Sequence, residues 1–145
     1  MSQERIVKSL GVMIAVKDSH VERLKAEVAA REQACRRYRD RIDTIEQLCR
    51  GAVGRVDRQS SAHVLNYAGY AQTVASIVGT HRRSLATQEA DLAAARGRLV
   101  TLVLQRERWQ QARSPRVAAL ARQRASREQM QQDEAAASVW LRSPR

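Results

Sequence analysis

The sequence predicts an all-α fold, a long antiparallel two-helix coiled-coil hairpin with a basic C-terminal helical extension. Apolar residues recur in alternating steps of three and four over most of the 145 residues, only two prolines and six glycines interrupt them, and a polar Ser-rich stretch near residue 60 offers a reversal point. With no Phe and an aromatic share of 3%, the chain lacks the bulky residues of a thick interior. Its 43% apolar content rests mainly on Ala, Val and Leu, which suit helices packed in thin layers. One domain is the expectation.

The first helix is expected over about residues 3–57. From Val7, steps of three and four reach Leu10, Ile14, Lys17, Val21, Leu24, Val28, Arg31, Cys35, Tyr38, Ile42, Ile45, Cys49, Ala52 and Val56, with only Lys17 and Arg31 interrupting the apolar series. A repeat held over seven heptads keeps one seam of the helix facing a partner, along a length on the order of 80 Å. Ser2 suits the N-cap, and Glu4 in the first turn complements the helix dipole. Cys35 and Cys49 lie about 21 Å apart on such a helix, too far for a disulfide, and are read as reduced packing residues.

Gly51, Gly54 and the run DRQSSA at residues 57–62 place a turn at about 58–62. The second helix, over about 63–113, carries Val64, Tyr67, Ala71, Val74, Val78, His81, Leu85, Gln88, Leu92, Ala95, Leu99, Leu102, Arg106 and Trp109 at the same spacing. A short connection makes the two helices antiparallel neighbours. Folding the chain at residue 60 sets Arg31 beside Gln88, Tyr38 beside His81, Leu10 near Trp109 and Val7 near Arg113. Ser114 and Pro115 either start a further helical segment over about 115–137 or kink the second helix, and residues 138–145 are expected to fray unless a partner holds them.

Catalysis and cofactors are not expected. The glycines lack the context of a phosphate-cradling loop, and His20, His63 and His81 are scattered without companions at metal-ligand spacing. A two-helix hairpin offers no pocket to shield a nucleophile. The apolar runs at residues 10–16 and 99–104 fall far short of the roughly 20 residues that span a bilayer, so the default compartment is the cytoplasm. The chain is therefore read as acting by binding.

Two surfaces offer themselves. Tyr70, Val74, Ile77 and His81 follow helical spacing and leave Tyr70 and Ile77 beside the seam, where they either serve a partner or broaden the packing between the helices. The formal charge of +11 is densest from residue 105 onward, and Arg5, Lys8, Arg106, Arg108, Arg113 and Arg116 gather at the open end of the expected hairpin. They suit either an acidic partner or plain solvation. A basic coiled coil binding nucleic acid through charge alone is the rival reading, although no aromatic platform or recognition helix accompanies the basic end.

The stretch NYAGYAQTVASIVGTHRRSL at residues 66–85 and the stretch RQRASREQMQQDEAAA at residues 122–137 resemble the second helix and the C-terminal stretch of the FliJ family of flagellar export proteins. The resemblance extends over essentially the whole chain. It implies a coiled coil similar to the central stalk of rotary ATPases, a non-catalytic component of the flagellar type III export apparatus that requires no cofactor. Such a protein sits in the centre of the hexameric export ATPase, promotes its assembly and activity, links it to the export gate membrane protein and escorts export chaperones. It is cytoplasmic and peripheral to the inner membrane at the flagellar base. By the same resemblance, the cytoplasmic domain of the gate binds Tyr70, Val74, Ile77 and His81, with Tyr38 and Ile42 facing them from helix one, while the basic cluster enters the ATPase ring. Ile45 and Cys49 stand where the family often carries aromatics. An injectisome stalk protein shares the hairpin and differs mainly in the Asn-Tyr stretch.

Overall fold

The computed structural model describes residues 2–53 and 61–142. Two helices account for nearly all of them, α1 over Gln3–Val53 and α2 over Ser61–Arg142, packed against each other as a helical hairpin. Ser2 caps α1, its Oγ accepting the Arg5 N–H at 3.4 Å while its carbonyl accepts the N–H groups of Arg5 and Ile6. The expected end of the first helix, at residue 57, lies outside the described residues, as does most of the turn. Residues 61 and 62, expected in that turn, already belong to α2.

Helix α2 runs without a break through Pro115 and on to Arg142, so the segments expected on either side of Ser114–Pro115 form one element. Proline removes one backbone N–H and leaves the carbonyl of residue 111 without its helical donor. Gln111 is exposed, and water can satisfy that carbonyl. Residues 138–142, expected to fray, are helical as well, following three alanines of high helix propensity. Ser138 donates its hydroxyl to the Ala135 carbonyl at 2.8 Å.

The chain divides into two compact units, Glu22–Val100 and Met1–Val21 with Thr101–Arg145. In the first, the seam is built on Cys35, Ile42, Val78, Leu92 and Ala95, all buried, with Leu24, Val28, Tyr38, Val74, Leu85 and Leu99 half-buried around them. Cys35 is 1% exposed and carries a free thiol, as the spacing to Cys49 requires. In the second unit Ile14 and Val21 are buried, and Val7, Leu10, Leu102 and Trp109 half-buried. Every described member of the two heptad series is buried or half-buried except Val64, which is exposed.

The polar seam members find partners at the edge of this thin core. Arg31 reaches Glu27 at 3.0 Å and Asp91 at 3.4 Å, and so pairs with acids instead of the Gln88 expected beside it. Lys17 donates to Gln105 at 3.1 Å and lies 5.5 Å from the Trp109 ring centre, a cation–π arrangement. Arg106 binds Asp18 at 2.5 Å, and Arg113 donates to the Val7 carbonyl at 3.4 Å, matching the expected neighbour. Among the described residues no buried side-chain polar atom lacks a partner.

Because the seam is one layer deep, truncating it removes apolar contact that nothing behind can replace. Leu92→Ala and Ile42→Ala are expected to lower unfolding free energy by about 2–3 kcal/mol each in chemical denaturation. Conversely, a methyl group at Gly69 meets nothing within 4 Å, and Gly69→Ala is expected to stabilise the helix by about 0.5–1 kcal/mol.

Candidate functional site

The two flanks of the seam in the Glu22–Val100 unit differ in chemistry. On one flank, Glu32 pairs with Arg96 at 2.6 Å, Arg39 with Glu89 at 2.6 Å and Glu46 with Arg82 at 2.5 Å. Each step is one heptad up α1 and one heptad down α2, so these pairs form an antiparallel ladder whose sign alternates from rung to rung. Hydrogen bonding to Arg96 holds the Glu32 carboxyl below the usual carboxylate range, and bonding to Glu89 raises the Arg39 guanidinium. The arginines and Glu89 are exposed and Glu32 and Glu46 half-exposed, so the rungs fix alignment more than they add stability.

The other flank begins with charge and then loses it. Glu27 meets Arg98 at 3.0 Å, but the heptad positions that follow are Ala34, Arg41 and Leu48 on α1, opposed by Asp91, Ser84, Ile77 and Tyr70 on α2. The register that sets Glu27 beside Arg98 brings Leu48, three heptads later, level with Ile77. Leu48 is 64% exposed, Tyr70 48% and Ile77 44%, three large apolar side chains on one flank of the same unit. Leu48 stands outside the seam series and is not singled out by the seam pattern. The signal available in the sequence is an apolar residue one heptad after Arg41, at a flanking position normally given to charge.

The expected gate residues occupy different depths around this patch. His81 is half-buried, its ring centre 6.0 Å from that of Tyr38, and it lines a shallow depression with Asp40, Arg41, Thr44 and Ile45. Val74 is half-buried and, with Ala71, Ala75 and Val78, lines an open groove on the ladder flank, bordered by Glu46 and Arg82. Ile42 is 7% exposed and belongs to the seam. The periodic stripe of four residues is thus split, with Tyr70 and Ile77 exposed on the flank opposite the ladder.

All six residues of the expected basic cluster lie in the unit formed by Met1–Val21 and Thr101–Arg145. Arg5, Lys8, Arg108 and Arg116 are exposed. Arg106 and Arg113 are half-buried and engaged, the first with Asp18 and the second with Val7 over Gly11, where an added Cβ would stand 3.4 Å from Arg113 Nε. Arg124, outside the expected cluster, pairs with Glu4 at 2.9 Å. Among the described residues no three His, Cys, Asp or Glu side chains converge as a metal site would require, and no helix is long and apolar enough to cross a membrane.

The ladder gives stability an acid limb. Since the Glu32 carboxyl titrates lower when folded than when unfolded, its contribution is present above the unfolded value and fades as pH falls through the folded one. Thermal midpoints are expected to drop on acidification through the carboxylate range, less steeply in Glu32→Gln, with the difference shrinking at high salt.

The family model described as Flagellar FliJ protein matches residues 7–145, nearly the whole chain. No curated protein and no solved structure matches it.

Proposed function

The chain belongs to the FliJ family of flagellar export-related proteins, and from that premise we propose that it is the stalk of the flagellar export ATPase, binding the hexamer through one unit and the export gate through the other. The observation that carries the reading is the exposed apolar patch of Leu48, Tyr70 and Ile77 on a flank that two and three heptads away carries ion pairs, Asp91 with Arg31 and Arg98 with Glu27. An apolar group at such a position adds little to the hairpin and is costly in water, which suits a surface covered by a partner. In this reading the cytoplasmic domain of the gate covers the patch, with His81 and Tyr38 at its edge and Val74 reached from the neighbouring groove. Ile42 is buried in the seam of the same unit.

The ATPase is engaged by Arg5, Lys8, Arg108 and Arg116, whose exposed cations suit an acidic ring mouth. Arg106 and Arg113 hold the helices together behind them. Promotion of hexamer assembly, escort of export chaperones and a position at the cytoplasmic face of the inner membrane complete the proposal. The protein supplies binding surfaces and no chemistry of its own.

The test uses the purified chain with the export ATPase and the cytoplasmic domain of the gate. Tyr70→Ala with Ile77→Ala is expected to keep helical circular dichroism and weaken gate binding about tenfold or more, while sparing the ATPase. Reversing Arg5, Lys8, Arg108 and Arg116 to Glu should do the opposite. Equal loss at both partners from either variant contradicts the assignment of separate surfaces. Tight binding to a DNA duplex that survives moderate salt, without effect on ATP turnover, would replace it with the nucleic-acid reading.

A further inference from the structure

The heptad line of α2 continues past the point where α1 covers it. Gln3 stands beside Leu120 and Gln123 at a shallow depression, and Glu4 pairs with Arg124. Beyond it the line passes through Arg127, Met130, Glu134, Ala137 and Leu141, and every described residue from 121 to 142 is exposed. Met130 is 62% and Leu141 76% exposed. A helix in a protein draws most of its stability from packing its apolar positions, and here Met130 and Leu141 stand exposed.

The charges along this extension are ordered. Arg122, Arg124 and Arg127 come first with no acid among them, followed by Glu128, Asp133 and Glu134 with no base. Two such helices laid parallel put like charges together. Laid antiparallel and aligned at Met130, they set Met130 against its copy and Arg127 against Glu134 twice by symmetry, with Asp133 close to the same arginine. We infer that residues 125–137 form an antiparallel pairing surface for a second copy of this chain, whose extension takes the place along the heptad line that α1 leaves open. The contact is isologous and closes as a dimer. Its layers are few and two of the three are ionic, so the dimer is weak and salt-sensitive.

Sedimentation equilibrium on the full chain, over a range of concentrations at low and high salt, tests this. A reversible monomer–dimer equilibrium weakened by salt is expected. Glu134→Arg and Arg127→Glu should each lower the association constant about tenfold, by replacing two attractive pairs with two repulsive ones. The double variant, with the two charges exchanged, should recover to within about twofold, which a parallel pairing would not produce. Both side chains are exposed, and unchanged helical circular dichroism verifies that each variant folds. A chain that stays monomeric at all concentrations, an association indifferent to both single reversals, or a double variant as weak as the singles overturns the inference.

Discussion

Everything in this protein rests on a seam of side chains one layer deep between two helices. The residues buried among those described are Ile, Val, Leu, Cys and Ala. A core this thin has two consequences. Each buried residue carries a large share of the apolar contact, and polar groups are tolerated within the seam because their heads reach its edge. Lys17, Arg31 and Arg106 illustrate the second point, each meeting an amide or carboxylate of the other helix within hydrogen-bond reach.

A thin seam holds two helices together but leaves their sliding alignment open, since an apolar layer accepts more than one neighbour. Alignment comes from the flanks. Three rungs of alternating sign on one flank, and Glu27 with Arg98 on the other, are all satisfied in one register, and a shift by a heptad sets like charges together at the ladder. These exposed pairs contribute little stability individually, so their value lies in specificity.

The same register creates the proposed gate-binding surface. Because Glu27 and Arg98 are level, Leu48 and Ile77 must be level too, and a flank that opens with ions ends with exposed apolar side chains. In the proposed function, recognition depends on a change of chemistry along one edge of a regular structure. The proposed contact between copies applies the same rule to the extension of α2, where ordered charge on a bare heptad line selects one direction of pairing.

The sequence by itself determined the two helices, their antiparallel packing and the membership of the seam, down to the contacts of Tyr38 with His81 and of Val7 with Arg113. Those properties follow from the spacing of apolar residues on each helix and from one short connection, both of which are local. Only the tertiary structure decided that α2 passes through Pro115, that Arg31 turns to Glu27 and Asp91, that Val74 and Ile77 face different flanks, and that Leu48 joins Ile77. Each of these depends on what lies across the interface or on whether water reaches an orphaned carbonyl, and periodicity within one helix carries no information about either until the register is fixed.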